Sequence, residues 1–206
     1  MGKTSENNQQ RMQQKKVLNV GGNSKAISLP PQYADFEHVL LDIDPQGKPD
    51  IVCDARELTT LPPGRFDAVN CSHNLEHYYR HDVPKVLAGF MHVLTDDGFA
   101  QIRVPDIREV MRLSIEKDLD IEDVLYQSDA GPIMVLDVLY GHGEEIEQSG
   151  QDFYAHKTGF TVKSLYKVLL DAGFAKIFCT LGNLEINAVA FKNEPDEGMR
   201  ALFNLR

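Results

Sequence analysis

The chain reads as an α/β protein built on an open, doubly wound, mostly parallel sheet that finishes in an antiparallel C-terminal hairpin. Three observations predict it. Short apolar runs of strand length alternate with segments of helical period from Lys16 onward. Four of those runs, VLNVGG, VLLDIDP, DIVCDAREL and FDAVNCSHNLEHY, break into glycine, acidic or polar residues. Near the C-terminus two β-rich runs, Phe174 to Leu181 and Leu184 to Phe191, are separated only by Gly182-Asn183. Alternation of this kind builds a mostly parallel sheet with helices on both faces, and a two-residue break between β-rich runs builds a tight hairpin.

With 206 residues the chain has room for one well-buried domain and little for a second. That domain is expected over residues 16–206, behind a disordered polar tail at 1–15 that is rich in Gln and Asn. The net charge of −10 sets the chain against nucleic acid and anionic membrane, because phosphates would meet mostly carboxylates. Cys53, Cys71 and Cys179 are odd in number, scattered and without a CxxC pair, so neither a disulfide framework nor a zinc knuckle is expected. The N-terminus lacks the apolar core of a signal peptide, and no apolar run is long enough to span a bilayer. A cytoplasmic location follows as the expectation.

In chain order, Val17, Leu18 and Val20 make the first strand, and Gly21-Gly22 turns it. Pro30 and Pro31 keep any helix after that turn short. Strand two is expected at Val39 to Ile43 and strand three at Asp50 to Cys53. The connection between them is about half the length that a parallel crossover ordinarily needs. Strand four spans Phe66 to Cys71. Apolar residues at helical spacing from Val83 to Leu94 then predict an amphipathic helix, with Asp82 placed to cap it and Pro84 in its first turn. The turn Asp96-Asp97-Gly98 leads to strand five, Phe99 to Val104. Asp106 and Glu109 follow at capping-box spacing. Residues 118–157 carry two short helical patterns, IEDVLY and IMVLDVLY, and an acidic loop, which together read as a lid-like insertion or a solvated loop. Thr161 caps the last predicted helix, Phe160 and Leu165 staple its first turn, and Gly173 ends it.

Sheets of this type bind ligands beyond the carboxyl ends of their strands, where the strand order reverses. Gly21 and Gly22, followed by Asn23 and Ser24, therefore make a candidate cofactor cradle, although two glycines after a strand also serve as a plain turn. Asp42 and Asp44 end strand two, where a carboxylate either accepts both hydroxyls of a ribose, in NAD and S-adenosylmethionine alike, or simply solvates the strand end. Asp54, after strand three, is placed to accept from an adenine amino group. His73, His77 and His81 recur every four residues, but the HExxH arrangement is absent and a new helix starting at Asp82 breaks the row, so no metal site is expected. Cys71-Ser72-His73 has no third group to orient it as a covalent nucleophile.

The succession VLNVGG, LLDIDP, CDAREL, FDAVNCSHNLEHY, VLTDDGFAQIRVPD and HKTGFTVKSLYKVLLDAGF resembles the class I S-adenosylmethionine-dependent methyltransferases over about residues 16–192. It is most similar to the small bacterial type associated with glycan or cell-surface biosynthesis. The resemblance implies a Rossmann-like, seven-stranded sheet whose last strand is antiparallel. It places Gly21 and Gly22 at the methionine portion of S-adenosyl-L-methionine, Asp42 at the ribose, and Asp54 with the Ala55 backbone at the adenine, with Asn23 also among the cofactor-binding residues. Ser72, His73 and Asn74 fall beside the sulfonium. The family's Gly-x-Gly-x-Gly loop is kept here only in its front half.

Methyl transfer to an alcohol needs a proton acceptor, and His73, His77 and His156 are the candidates. The expected acceptor is a small molecule or glycan. Two rivals share the fold: an NAD-dependent oxidoreductase or epimerase, which would need Gly-x-Gly-x-x-Gly opening a long helix, and a non-catalytic relative serving as a binding or scaffolding protein.

Overall fold

The structure, a computed structural model, describes residues 14–128 and 131–205. Of the polar tail expected at 1–15, residues 1–13 lie outside the described residues, while the Lys15 carbonyl already accepts the Glu37 N–H at 2.7 Å. The strands are β1 (Lys16–Val20), β2 (Glu37–Asp42), β3 (Ile51–Val52), β4 (Phe66–Ser72), β5 (Leu94–Pro105), β6 (Val124–Ser128), β7 (Gly131–Met134), β8 (Lys176–Leu181) and β9 (Glu185–Phe191). Seven form one sheet in the order β3-β2-β1-β4-β5-β9-β8, and β6 and β7 form a separate antiparallel pair. The first five strands of the large sheet are parallel, and β9 runs antiparallel to both β5 and β8. The order reverses between β1 and β4, so the crevice at their carboxyl ends is where this architecture places a ligand.

Helix α1 (Val83–Val93), helix α5 (Val162–Asp171) and the 3-10 turn at Ala55–Thr60 cover one face of the sheet. Leu58, Val86, Leu87, Phe90, Leu165 and Leu169 pack there with Leu18, Val69 and Ile102 in one continuous core. The other face departs from the expectation of helices on both sides. No α-helix joins β1 to β2 or β2 to β3; only the 3-10 turns Pro31–Tyr33 and Pro45–Gly47 interrupt those loops. Val17, Ala68, Phe99 and Phe191 on that face are covered instead by Leu29, Tyr33 and Phe36 and by the C-terminal helix α6 (Glu197–Leu202), through Met199 and Phe203.

The physical reason lies in both the loop and the strands. Pro30 and Pro31 break any helix after β1, and the middle of this face is polar. Asn70 Nδ2 donates to Asn19 Oδ1 at 2.8 Å, and Gln101 Nε2 donates to Asn187 Oδ1 at 3.1 Å. The Tyr33 hydroxyl and Gln32 Nε2 donate to Gln101 Oε1 at 3.0 and 2.6 Å. Such a buried amide row needs hydrogen-bond partners, which an apolar helix face does not supply.

Other elements depart locally. Residues 43–50 make the short β2–β3 connection, helped by Lys48 in a left-handed conformation (φ 52°), and β3 shrinks to Ile51–Val52. The Asp96-Asp97-Gly98 turn is an irregularity inside β5. Asp82 stands at the N-cap of α1, but its carboxylate pairs with Lys85 (2.8 Å) and Arg56 (3.4 Å) instead of capping. Asp106 caps α2 (Ile107–Glu116) by accepting the Arg108 N–H, while Glu109 turns to Arg112, so half of the expected capping box forms.

IEDVLY is not helical. It supplies a turn and then β6, because its side chains alternate, Leu125 buried between the exposed Val124 and Tyr126, and β7 gives it a partner. The second pattern forms α3 (Val135–Tyr140), and the acidic stretch forms the short α4 (Gly143–Ser149). At α5, Thr161 and Ser164 cap reciprocally, and Phe160 and Leu165 are both buried as a staple requires. The β8–β9 turn closes through Gly182 N–H to the Glu185 carbonyl (2.8 Å), with the buried Leu184 left-handed at φ 60°.

Candidate functional site

Four strand ends converge on one cleft of about 360 Å³. Gly21 leaves β1 at φ 68°, and a Cβ there would lie 2.0 Å from Asn74 Nδ2, so the loop after β1 lies directly on the loop after β4. Gly22 points the other way, toward Asn19 and Leu40. Asn23, left-handed at φ 58°, donates its N–H to Asp42 Oδ2 at 2.9 Å. Asp42 Oδ1 accepts the Asp44 N–H at 3.0 Å. One nearly buried carboxylate thus fixes two loops and keeps a lone pair on each oxygen for a ligand. Gly21, Asn23, Asp42, Asp54 and Asn74 all line the cleft; Gly22, Ala55 and Ser72 do not. The Asp54 carboxylate is held by Arg56, with Nη2 at 2.6 Å and Nε at 3.0 Å. Burial by itself would raise Asp54, but the hydrogen bonds and charge of Arg56 outweigh it and hold the carboxyl below its ordinary value.

A strap from the insertion roofs the cleft. Phe153 and Tyr154 lie over it, and the Tyr154 hydroxyl donates to Asp44 Oδ2 at 3.0 Å. Burial first, and then the Asp44 carboxylate, push the Tyr154 phenol up to about 12.

The histidines gather at the far end. β4 ends at Ser72, His73 turns left-handed (φ 49°), and a 3-10 turn at Leu75–His77 follows. His81 does not join them; it is exposed and stacked on Tyr79. The backbone N–H groups of Lys157 and Thr158 donate to the Glu76 carbonyl at 2.8 and 3.1 Å, and this brings His156 against His77 with ring centroids 4.8 Å apart. His77 Nδ1 lies 3.2 Å from the Ala155 carbonyl and His156 Nδ1 lies 2.9 Å from the Val138 carbonyl. A carbonyl only accepts, so each ring donates to it from Nδ1. Burial is the main cause holding His77 below its ordinary pKa, which keeps the ring neutral near pH 7. His73 behaves oppositely. Burial works against its charge, but the carboxylates of Glu185 (3.2 Å) and Glu76 (3.5 Å) prevail and raise it to about 9.

A second cavity of about 260 Å³ lies beyond, walled by Tyr126, Asp137, His142 and His156 of the insertion and by Glu185. His73 lines both cavities, His77 the first and His156 the second. The histidines form the partition between two pockets.

Strand order, antiparallel β9 and the cleft at the β1/β4 switch point define a Rossmann-like α/β fold with a mixed, mostly parallel seven-stranded sheet. Residues 20–102 match the family model for a methyltransferase domain. Among solved structures the chain is similar to an S-adenosylmethionine-dependent methyltransferase from Archaeoglobus fulgidus (16% identity, 87% of this chain and 86% of that one, TM-score 0.54). It is also similar to a protein from Pyrococcus horikoshii (16% identity, 88% and 84%, TM-score 0.57) and to a possible histamine N-methyltransferase from Thermotoga maritima (13% identity, 89% and 84%, TM-score 0.52). No curated protein sequence matches the chain.

Sequence reasoning gave no role to Arg56, Tyr154 or Glu185, and weighed Glu76 only in setting aside the HExxH arrangement.

Proposed function

We propose that the protein transfers a methyl group from S-adenosyl-L-methionine to a small-molecule or glycan-type acceptor. The observation that carries the reading is the pair of adjoining cavities, one framed by Gly21, Asp42 and Asn74, the other by the insertion, with His73 on the wall of both. The first has the size of a cofactor site. Its donors fit the cofactor: Asp42 keeps lone pairs for ribose hydroxyls, and the buried Asn74 Oδ1 has no hydrogen-bond partner among the described residues and offers an acceptor. Bound there, the cofactor supplies an electrophilic methyl on a sulfonium.

The chain's own work is alignment and exclusion of water. Asp42 and Asn23 hold the adenosine side, and Phe153 and Tyr154 shut the cleft from above. The insertion at 118–157 acts as a lid that shapes the acceptor cavity. For a hydroxyl acceptor, Nε2 of His77 or His156 takes the departing proton, and His73, charged by its carboxylate neighbours, orients the acceptor from the partition. A glycan-type acceptor is the reading favoured by the sequence resemblance.

Thermal unfolding with S-adenosylhomocysteine and, separately, NAD tests this. A ligand at one hundred times its dissociation constant adds about 2.7 kcal/mol, a rise of about 5–11 °C in midpoint for a chain of this size. The expected result is a shift with S-adenosylhomocysteine alone, abolished by Asp42→Ala and kept by His77→Ala, which instead loses turnover. The loop after β1 opens no helix, and this favours a second reading, a non-catalytic binding protein. A missing shift with both ligands would select that reading.

A further inference from the structure

We propose that Glu76, His77 and His156 form a binding site for a divalent transition-metal ion. One donor atom from each lies within 4.8 Å of the other two. Glu76 is 1% exposed, and neither of its carboxylate oxygens has a hydrogen-bond partner among the described residues. Its one cationic neighbour, His73, stands 3.5 Å away at Nδ1 and gives its other ring nitrogen to Glu185 at 3.2 Å. A buried carboxylate left so poorly answered is a group waiting for a charge, since buried charges are ordinarily paired or bound to metal.

The two imidazoles are prepared in the way metal-bound histidines are. Each fixes Nδ1–H on a backbone carbonyl, Ala155 for His77 and Val138 for His156, which sets the tautomer and leaves Nε2 as the donor. The backbone hydrogen bonds from Lys157 and Thr158 to the Glu76 carbonyl lock the insertion to the turn that carries the other two ligands, so the set is assembled from two distant segments before any ion arrives. Two imidazole nitrogens and one carboxylate suit zinc, cobalt, manganese or iron; calcium and magnesium prefer an oxygen shell. Three protein ligands leave positions open. They fall on the partition, where His77 faces the first cavity and His156 the second. With the ion bound, Nε2 of both rings is occupied, and the ion rather than the rings would activate an acceptor oxygen at such a position; that role rests on the methyl-transfer reading, whereas the metal site itself does not.

The test uses the untagged full chain, stripped with a chelator and titrated with Co(II) by visible absorption, then displaced with Zn(II). One equivalent of Co(II) with the ligand-field bands of a nitrogen–oxygen site is expected, together with a higher unfolding midpoint. Glu76→Gln should abolish the Co(II) signal while still unfolding, metal-free, in one cooperative transition. His156→Gln, which keeps a polar side chain there, should lose the signal as well. Absence of saturable Co(II) or Zn(II) uptake by the wild type, or undiminished uptake by both variants, would overturn the site. S-adenosylhomocysteine binding is measured in parallel. Metal uptake without it keeps the metal site and sinks the methyl-transfer reading, and the converse sinks the metal site alone.

Discussion

Gly21 shows what a single residue contributes here. Its φ of 68° and the 2.0 Å approach that a Cβ would make to Asn74 Nδ2 are both closed to alanine. Gly64 shares the positive φ (62°) but faces open space. Gly64→Ala should therefore cost only the backbone penalty of about 1–2 kcal/mol. Gly21→Ala should cost more, and should also weaken S-adenosylhomocysteine binding, which urea unfolding and calorimetry of the two variants would check. Several residues that line the cleft were legible at this scale from position alone: Gly21, Asn23, Asp42, Asp54 and Asn74 each end or follow a strand, and the fold brings strand ends together. Tyr154 and Glu185 were not legible, because their partners Asp44 and His73 lie 110 and 112 residues away in the chain. No local period encodes such a contact.

Among the elements, α5 was read most fully, since its cap, staple and terminating glycine are all written within its own stretch of sequence. Thr161→Ala should destabilise the protein by about 1 kcal/mol, read as a lower denaturant midpoint with an unchanged slope. The insertion was read least well. IEDVLY satisfies a helical spacing, yet it became a strand because β7, Gly131–Met134, lies alongside it. A pairing partner overrides a weak local preference. The short loop between β2 and β3 was visible as an anomaly, and the structure resolves it by shortening β3 and using a left-handed Lys48. The capping box at Asp106 failed on one side for a comparable reason, since Glu109 found a stronger partner in Arg112.

At the scale of the whole molecule, the sheet is covered unequally. Long helices protect one face, while the other relies on the loop around Tyr33 and on the last residues of the chain. Phe203 sits edge-on to Phe99 with ring centroids 5.0 Å apart. Phe203→Ala should therefore lower stability by about 1–2 kcal/mol, less than the 3–5 kcal/mol of a fully buried phenylalanine, and increase binding of a hydrophobic dye. The α/β class, the strand succession and the closing hairpin were legible because alternation and turn chemistry encode them. The covering of the second face by a loop and the C-terminal residues was not, because it depends on what the chain leaves out between β1 and β3. Its amide row has a further effect. Asn19, Asn70 and Gln101 stand opposite one another in the strand registers. Sliding any of these strands by a single residue would carry its amide into the hydrocarbon side and strand its neighbours' amides without mates. The row thus acts as a mechanical index: it rejects misaligned pairings during assembly of the sheet and admits only the alignment that brings the strand ends level at the cleft.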